Sequence, residues 1–428
     1  MTMMANVVVS ELAPLSVSAD VVVRTFQLHL NNVTIELCSL GATITKILLP
    51  NYKHPDRQRD DVVLSYASPK TQFDDRNSVY FGAIVGRVAN RIKNGSFQLY
   101  QTEVMSDSDE PRMKLETYQL ETNNGPNHLH GGFDGFGTRN WDSAIINDSQ
   151  GQVQFTLTSH DEDQGYPAGI EVTATYSLKQ SNDSQEGVKL HLSMSAKLLP
   201  GETKATPISL AQHSYFNLAS HSSRERILNH VLTMPNCRSF TPVDGTSIPT
   251  REVRTVADSS MDFTTGQIMS DALVRNGEEN GLDPMVARDN IQVLNKQSIN
   301  NSPIYGFDHN YAIHQEHTNE EAGLFLAAIL EHHPSGRSLR VRTTAPGVQL
   351  YTANYLDGMN PSISKDECSY DRWQGVCLET QTYPDCIILE NEHDNSSGFE
   401  AGKCFVLRPG GDDYSHDVVF EFASISSS

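Results

Sequence analysis

The sequence predicts an all-β protein that folds as a large antiparallel β-sandwich, and three observations support this prediction. The first is a two-residue alternation of apolar and polar side chains, which is longest over residues 188–198. A strand with one buried face has this period. The second is the scarcity of helical periodicity, since only residues 258–269 suggest a helical turn or two. The third is the absence of the strand–helix alternation that a parallel sheet requires.

The first strands are predicted near the beginning of the chain. Residues 25–30 and 33–37 flank Asn31 and Asn32, a pair that suits a tight hairpin turn. Further along the chain, alternating or β-rich runs predict strands at residues 153–158, 171–178, 188–198, 339–343 and 348–355. Strand patterns of one type therefore recur from the beginning of the chain to its end.

Four polar stretches interrupt these strands. They hold Gly, Pro, Asn, Asp or Ser with little apolar content, as solvated loop insertions do. They span residues 106–116, 275–302, 357–375 and 390–403. Because similar strand patterns lie on both sides of each stretch, none is predicted to link two independent cores. We therefore predict a single domain over residues 25–428, preceded by a poorly ordered N-terminal extension over residues 1–24.

The charge of the chain limits its partners. Its 428 residues include 32 Lys and Arg against 53 Asp and Glu, which gives a formal net charge of −21. Phosphate contacts need clustered basic side chains, so neither nucleic acid nor an anionic membrane is an expected partner. The net charge favours solubility, and a monomer or a weak homodimer is expected.

The N-terminal sequence resembles neither of two common targeting signals. Its first basic residue is Arg24, and Glu11 and Asp20 interrupt its apolar stretches. A secretory signal needs a basic start and an unbroken apolar core, and a mitochondrial presequence needs Arg with few acidic residues. The apolar runs of the chain are also far shorter than a transmembrane helix. The expected location is the cytoplasm.

The cysteines are expected to be free thiols. No pair has CxxC spacing, and a chain of this length without a secretory signal more often keeps buried thiols than disulfides. The six residues are Cys38, Cys237, Cys368, Cys377, Cys386 and Cys404.

Several polar residues are candidates for chemistry, although each also has an ordinary structural interpretation. His128 and His130 share a face if they lie on a strand and could then bind a metal, but glycines follow where a further ligand is expected. His213 is either a buried core histidine or a functional one. Glu379 lies in a β-type run where carboxylates are disfavoured, so it either faces solvent or is buried for a purpose.

Two further segments place polar groups next to predicted strands. Asp308 lies in a Gly-Phe-Asp-His-Asn segment, which is either an ordinary turn or part of a site. Arg91 follows a nearly apolar run, and it either lies at the surface or pairs with a carboxylate or a polyhydroxylated ligand. The chain has no HExxH, no GxSxG and no dinucleotide-binding glycine fingerprint, so neither a metal nor a cofactor is predicted.

As an ordered set, the motifs resemble those of the aldose 1-epimerase (galactose mutarotase) family. The resemblance runs from about residue 25 to residue 422, with the polar stretches between the motifs. The matching segments are residues 80–92 (YFGAIVGRVANRI), 127–132 (NHLHGG), 213–218 (HSYFNL), 306–310 (GFDHN), 347–352 (GVQLYT), 377–381 (CLETQ) and 407–410 (LRPG). It implies a galactose mutarotase-like antiparallel sandwich and an isomerase that interconverts the α and β anomers of free aldohexoses, such as galactose and glucose, without a metal or a cofactor.

The resemblance also implies roles for seven residues. Glu379 matches the general base that removes the proton of the C1 hydroxyl. His213 matches the general acid that protonates the ring oxygen, and His130 matches a second histidine that orients or polarises that oxygen. The remaining matched positions bind the sugar and are Asn90, Arg91, Asp308 and Gln349.

The chemistry of ring opening leads to a prediction for His213. A carboxylate and an imidazolium can move one proton off O1 and another onto O5. An unperturbed histidine is mostly neutral near pH 7, whereas nearby carboxylates such as Glu379 and Asp308 favour its charged form. The pKa of His213 is therefore predicted to lie above its usual value. Trp141 and Phe307 are candidates for apolar contact with the sugar.

Two other functions stay open, and the chain departs from the family pattern at two points. A hexose-6-phosphate mutarotase would need basic side chains around the phosphate, and Arg87 and Arg91 lie in matched motifs. A non-catalytic carbohydrate-binding or sugar-sensing protein would keep the sandwich, but it would not need an acid and a base together. The departures are Gln212, where members commonly carry Asn, and the length of the polar stretches.

Overall fold

A computed structural model describes residues 7–103, 112–181, 187–293, 305–314, 323–387 and 402–425. The strands of the first half of the chain are β1 (Val8–Glu11), β2 (Leu15–Ser16), β3 (Val22–Val23), β4 (Thr25–Leu30), β5 (Val33–Cys38), β6 (Thr43–Leu49), β7 (Asp60–Asp61), β8 (Ile84–Val85), β9 (Arg91–Ile92), β10 (Ser96–Glu103), β11 (Arg112–Gln119), β12 (His128–Leu129), β13 (Asp142–Asn147), β14 (Gln152–Ser159), β15 (Ile170–Gln180) and β16 (Val188–Leu198). Those of the second half are β17 (Thr206–Ile208), β18 (Ala211–Gln212), β19 (Tyr215–Phe216), β20 (Val231–Thr233), β21 (Ser239–Thr241), β22 (Arg254–Thr255), β23 (Gln267–Ile268), β24 (Asp308–Ala312), β25 (Phe325–His332), β26 (Arg337–Thr343), β27 (Gly347–Tyr351), β28 (Val376–Gln381), β29 (Phe405–Leu407) and β30 (Tyr414–Ser424). The α-helices are α1 (Pro69–Asp74), α2 (Met269–Glu279) and α3 (Pro284–Val293).

Antiparallel pairing builds three larger sheets from these strands. The nine-stranded sheet has the order β13-β14-β15-β16-β30-β26-β25-β20-β23, the six-stranded sheet β19-β28-β27-β24-β21-β22, and the five-stranded sheet β1-β4-β5-β6-β7. The predicted run at residues 188–198 coincides with β16, and the runs at 25–30 and 33–37 form β4 and β5 around the predicted turn. The run at 348–355 is a strand only as far as Tyr351.

One hydrophobic cluster joins the three larger sheets. Met194 and Phe420 contribute from the nine-stranded sheet, Leu350 and Leu378 from the six-stranded sheet, and Ile35 from the five-stranded sheet. Their apolar faces are removed from water together, and this burial is the dominant favourable contribution to folding. The prediction of an all-β antiparallel sandwich is confirmed.

The helices lie where the sequence predicted none. Residues 258–269 are not helical apart from Met269, where α2 begins, and the predicted loop at 275–302 instead holds the end of α2 and all of α3. Helix α2 buries a narrow stripe that includes Ala272 and Leu273, while the rest of its surface is polar. Because α2 has so few apolar positions, its sequence shows no clear helical period.

The described part of the predicted N-terminal extension, residues 7–24, holds the three short strands β1, β2 and β3. Strand β1 pairs antiparallel with β4, in a register that places Val9 opposite Leu28. Backbone hydrogen bonds therefore join Val8–Glu11 to the edge of the five-stranded sheet, and the poor order of the N-terminal extension stays a prediction. Residues 1–6 lie outside the described residues.

The other predicted insertions have different outcomes. Of residues 106–116, the last five belong to β11, which pairs with β10 in an exposed hairpin, and the first six lie outside the described residues. Residues 357–375 form turns without a strand or an α-helix, as predicted for a loop, although Tyr370 and Trp373 are buried. The stretch at 390–403 lies almost wholly outside the described residues.

Two further expectations concern the whole chain. All six cysteines are described, and all six are free thiols, as predicted. Among the described residues, no helix combines the length and the apolar character needed to cross a membrane.

Candidate active site

All seven predicted site residues line one cavity of about 470 Å³, which opens above the six-stranded sheet. Three of them lie on strands of that sheet, Arg91 lies on β9, and the other three lie in connections between strands. Their order in the chain is Asn90, Arg91, His130, His213, Asp308, Gln349 and Glu379. The structure thus brings together residues that lie up to about 290 positions apart in the sequence.

The floor of the cavity is a row of polar side chains across three neighbouring strands. In the registers of β24, β27 and β28, Gln349 lies opposite Asn310 on one side and opposite Glu379 on the other. Because side chains two residues apart share a face of a strand, Asp308 lies on the same face as Asn310. The Nε2 of Gln349 donates a hydrogen bond to Oδ1 of Asp308 at 2.7 Å. Strand register alone therefore places Asp308, Gln349 and Glu379 side by side.

Three cavity residues outside the six-stranded sheet have an unusual backbone conformation. Tyr80, Asn90 and His130 all have left-handed φ angles, of 59°, 61° and 50°. Such a conformation is uncommon for residues other than glycine, and it clusters at functional sites. Gly131, which follows His130, has a φ of 87°, and a Cβ there would lie only 1.8 Å from the carbonyl oxygen of Gly86. Only glycine fits at this position.

Hydrogen bonds with Asn90 determine the tautomer of His130. The backbone N–H of Asn90 donates to Nδ1 of His130 at 3.1 Å, and the backbone N–H of His130 donates to the carbonyl of Asn90 at 3.0 Å. Because Nδ1 accepts, a neutral His130 carries its proton on Nε2. Burial, followed by the nearby His213 and Arg91, lowers the pKa of His130 well below its usual value. His130 is therefore a neutral hydrogen-bond donor.

The imidazole of His213 is enclosed on all sides. Its ring stacks between Tyr80, at 5.8 Å between centroids, and Tyr215, at 5.1 Å. Its backbone N–H donates to the carbonyl of Ala83, and its carbonyl accepts from the N–H of Gly82. Its Nε2 lies 3.5 Å from Oε2 of Glu379. The side chain is thus rigidly oriented, with Nε2 directed at the carboxyl group.

Glu379 is a buried carboxyl group whose bonding capacity is not used by the protein. Its exposed fraction is 2 %, and its Oε2 has no hydrogen-bond partner among the described residues. Burial raises the pKa of Glu379 well above its usual value, and the charge of Asp308 adds to this, whereas Arg91 acts in the opposite direction. Arg91 lies 3.8 Å from Asp308 and donates to Oδ1 of Asn124.

The prediction of a raised pKa for His213 is wrong. Burial lowers the pKa of His213 to about 4, against a smaller opposite effect of its own backbone carbonyl. The reason is that the expected carboxylate partner, Glu379, is itself buried and favours its neutral form. In the cavity without ligand, both pKa shifts therefore favour the neutral forms of Glu379 and His213 over a carboxylate–imidazolium pair.

A metal ion does not suit this cluster, although its composition invites one. His130, His213 and Glu379 each offer an atom, and these atoms lie within 4.8 Å of one another. A metal ligand needs a free lone pair, but Nδ1 of His130 accepts the N–H of Asn90 and Nε2 carries the proton. The HxH pair does not form a site either. Nδ1 of His128 bonds to the carbonyl of Glu121, and strand β12 ends at Leu129, before the left-handed His130.

Sequence reasoning assigned no role to the tyrosines of the cavity and offered two other aromatic residues as candidates for contact with the sugar. Tyr80, Tyr215, Tyr351 and Tyr355 line the cavity, and the first three lie in the motifs already singled out. Trp141 and Phe307, the predicted apolar contacts, instead belong to the buried core and do not line the cavity. Tyr215 could have been predicted from the sequence. In an extended segment, residues two positions apart lie on the same face, and Tyr215 is two positions after His213.

Comparisons with known proteins point to one family. A family model described as aldose 1-epimerase matches residues 24–391. Proteins named galactose mutarotase, from Sus scrofa and from Homo sapiens, are each 32% identical over 401 residues, which cover 94% of this chain and 94% of theirs. A protein named aldose 1-epimerase, from Escherichia coli (strain K12), is 28% identical over 388 residues, which cover 91% of both chains.

Solved structures agree on the fold. The GalM/aldose epimerase homologue from C. elegans has a TM-score of 0.67 at 23% identity, over 92% of this chain and 97% of that one. The galactose 1-epimerase from Lactobacillus acidophilus NCFM also has a TM-score of 0.67 at 23% identity, over 97% of this chain and 98% of that one. The sandwich is therefore of the galactose mutarotase-like type.

Proposed function

The chain belongs to the aldose 1-epimerase family and is an isomerase, and on that premise we propose that it interconverts the α and β anomers of free aldohexoses such as galactose and glucose. In this proposal Glu379 is the general base and His213 is the general acid. His130 hydrogen-bonds to the ring oxygen, and Asn90, Arg91, Asp308 and Gln349 bind the hydroxyl groups.

A single observation supports this proposal best. The buried Oε2 of Glu379 has no hydrogen-bond partner among the described residues, and it faces Nε2 of His213 at 3.5 Å across the floor of the cavity. An unpaired buried carboxyl group is unfavourable for folding, so the most direct reason for it is an absent ligand. Ring opening needs both a proton acceptor for O1 and a proton donor for O5, and the pair supplies them without a cofactor.

The pKa directions determine which protonation state reacts. The pair shares one proton, and the two pKa directions favour its location on Glu379 in the empty cavity. The reactive form is reached when this proton moves from Glu379 to Nε2 of His213, which changes no net charge. Sugar hydroxyls that donate to the carboxylate favour this form, because hydrogen bonds to a charged carboxylate lower its pKa. The aromatic faces of Tyr80 and Tyr215 stabilise the imidazolium.

The reaction then proceeds in two mirrored steps. Glu379 takes the proton of the C1 hydroxyl while His213 gives the Nε2 proton to the ring oxygen, and the C1–O5 bond breaks to give the open-chain aldehyde. Rotation about the C1–C2 bond presents the other face of the aldehyde. The ring closes as O5 returns its proton to His213 and Glu379 reprotonates O1. Both groups end in their starting states, as a catalyst requires.

The two alternative functions have less support. A phosphorylated sugar needs converging cations, but Arg91 is the only Lys or Arg among the described residues that line the cavity. Arg87 is buried elsewhere and donates to the carbonyls of Pro167 and Ala168. A binding protein would not need an acid and a base together, whereas Glu379 and His213 lie 3.5 Å apart.

Polarimetry of freshly dissolved α-D-galactose and α-D-glucose tests the proposal. The wild-type protein should accelerate the decay of optical rotation for both sugars, and Glu379→Gln should abolish most of the acceleration. Glucose 6-phosphate serves as the competing substrate. Faster decay with glucose 6-phosphate than with glucose would favour the phosphate enzyme, and no acceleration with any sugar, combined with sugar binding by calorimetry, would favour a binding protein.

We also propose that the protein acts in the cytoplasm, as a monomer or a weak homodimer that needs no nucleic-acid or membrane partner. The net charge of −21 supports the absence of anionic partners. Sedimentation of the purified protein and fractionation of cells test the two parts of this proposal.

A further inference from the structure

The second ring nitrogen of His213 has a partner that the proposed mechanism does not use. The Sγ of Cys377 lies 3.7 Å from Nδ1 of His213, within hydrogen-bond distance for sulfur. Among the described residues, this thiol is the one side chain that hydrogen-bonds to Nδ1. Both residues are buried, with exposed fractions of 0% for Cys377 and 4% for His213.

A single strand contacts both nitrogens of the imidazole. Cys377 and Glu379 lie two residues apart on β28, so they share the face that borders the cavity. Glu379 reaches Nε2 at 3.5 Å, and Cys377 reaches Nδ1 at 3.7 Å. Cys377 is held in place by pairing on both sides, opposite Tyr215 in β19 and opposite Tyr351 in β27. Residues of β28 therefore contact the two ring nitrogens of His213, and the rings of Tyr80 and Tyr215 stack on the imidazole.

We propose that Cys377 is a positioning residue for the isomerase reaction: its sulfur accepts the Nδ1–H of His213 and keeps that proton on Nδ1 while Nε2 exchanges its proton with the sugar ring oxygen. This inference rests on the proposed function. Its chemical basis is that His213 must pass from imidazolium to the Nδ1–H tautomer and back, because only that tautomer has a free lone pair on Nε2. The opposite tautomer could not recover a proton from O5.

A weak and uncharged sulfur acceptor suits the positioning of His213. A carboxylate next to Nδ1 would stabilise the imidazolium and make it a poorer acid. A thiol is only a weak acceptor, so it directs the proton to Nδ1 without retaining the charge on the ring. Burial raises the pKa of the Cys377 thiol well above its usual value, with smaller contributions from Glu379 and Asp308, and so the sulfur stays uncharged. The same environment makes it a poor nucleophile.

Kinetics of three cysteine variants test this role. Cys377→Val removes the acceptor at nearly constant volume, and we expect kcat for galactose to fall about 3- to 10-fold, the effect of one weak hydrogen bond, with KM within about twofold. Cys377→Ser restores an acceptor and should recover part of kcat. Cys237→Val is the matched control, since Cys237 is equally buried and its thiol bonds to the carbonyl of Ala327, away from the cavity. Its kcat should not change.

A tautomer measurement separates this proposal from the proposed function. In protein with ¹⁵N-labelled histidine, assigned with His213→Gln, the ring nitrogens of neutral His213 should show the proton on Nδ1 in the wild type and a shift towards Nε2–H in Cys377→Val. A wild type with the proton on Nε2, or a Cys377→Val variant with unchanged kcat and tautomer, overturns the role of Cys377. Absent mutarotation in the wild type, by contrast, overturns the proposed function whatever the tautomer.

Discussion

Two buried ionisable groups in this chain, Lys365 and Glu379, are surrounded in opposite ways. The Nζ of Lys365 donates to Oδ2 of Asp61 at 2.7 Å and to the carbonyls of Thr45 and Val63. The other oxygen of Asp61 accepts the backbone N–H groups of Ile47 and Val63. All three Nζ hydrogens of Lys365 and both carboxylate oxygens of Asp61 therefore have partners within the protein. Glu379, by contrast, keeps Oε2 without a partner among the described residues.

The difference separates a structural role from a chemical one. A buried charge pair tolerates its loss of hydration only when neighbouring groups satisfy it, and the Lys365–Asp61 pair meets that condition. The environment of Glu379 favours the neutral carboxyl group and leaves its Oε2 without a partner among the described residues, and in the proposed function a sugar hydroxyl is that partner. Among the buried carboxyl groups of the described residues, saturated burial, in which both oxygens have hydrogen-bond partners, is therefore a structural feature, and unsaturated burial distinguishes Glu379.

The largest expected effect is the loss of activity in Glu379→Gln. We expect kcat for galactose to fall by roughly 10³-fold, because general base catalysis typically contributes 10²- to 10⁴-fold. Stability should not fall, since glutamine removes a buried carboxyl group that has no partner on Oε2 to lose. Polarimetry and urea unfolding measure the two quantities.

Glu421→Gln provides the matched control for this first variant. Glu421 is equally buried, but its carboxylate accepts from Ser181 and from Arg342. Its variant should lose stability and retain kcat. If Glu379→Gln and Glu421→Gln change kcat and stability in the same way, the distinction between saturated and unsaturated burial is wrong.

The next largest effect is expected on stability, from Lys365→Met. This change leaves Asp61 buried without its cation, and breaking such a pair costs about 3–5 kcal/mol of unfolding free energy. Activity per folded molecule should not change, because neither residue lines the cavity. Urea denaturation gives the free energy, and adding Asp61→Asn should recover part of it. A loss of less than about 1 kcal/mol would mean that the pair is not saturated as described.

A smaller effect is expected on substrate binding in Asp308→Asn. Asp308 accepts from Gln349 and lies beside Arg91, so its charge can strengthen hydrogen bonds from sugar hydroxyls. We expect KM for galactose to rise by about 10-fold, the effect of losing one charge-assisted hydrogen bond. Initial rates over a range of galactose concentrations measure it. Asp366→Asn, at an exposed carboxylate outside the cavity, should leave KM unchanged.

The smallest effect is expected from moderate acid. Because burial lowers the pKa of His213 to about 4, the pair takes up a second proton only near that pH, and Glu379 then no longer acts as a base. The kcat/KM for galactose should therefore vary by less than about twofold between pH 7 and about pH 5 and fall with further acidification. An NMR titration of His213 with a midpoint above its usual value would restore the interpretation made from sequence.

The sequence predicted the fold well wherever one strand face is buried and the other is exposed. Strand β16 alternates in this way along its whole length, and its bounds were predicted without error. Strand β11 is largely exposed on both faces, so no alternation distinguished it from a loop. Strand β1 is short and half-exposed, and its pairing with β4 depends on a partner that local sequence cannot reveal.

The residues of the candidate site were predicted, but its electrostatics were not. The ordered motifs and their resemblance to those of the aldose 1-epimerase family were enough to select Glu379 and His213. The structure places Oε2 of Glu379 3.5 Å from Nε2 of His213. The direction of the His213 pKa depends on how much water reaches the ring, and that depends on Tyr80 and Tyr215, which come from distant segments. Desolvation is a property of tertiary packing, so the sequence could show only the charges and not the burial that outweighs them.

The register of β28 has a consequence for how this protein can change during evolution. Insertion or deletion of one residue in a strand moves every later side chain to the opposite face. Such a change between Cys377 and Glu379 would leave at most one of them facing His213. The connections between strands have no such constraint. Mutations that alter chain length can therefore accumulate in the loops, while β28 can vary only by substitution.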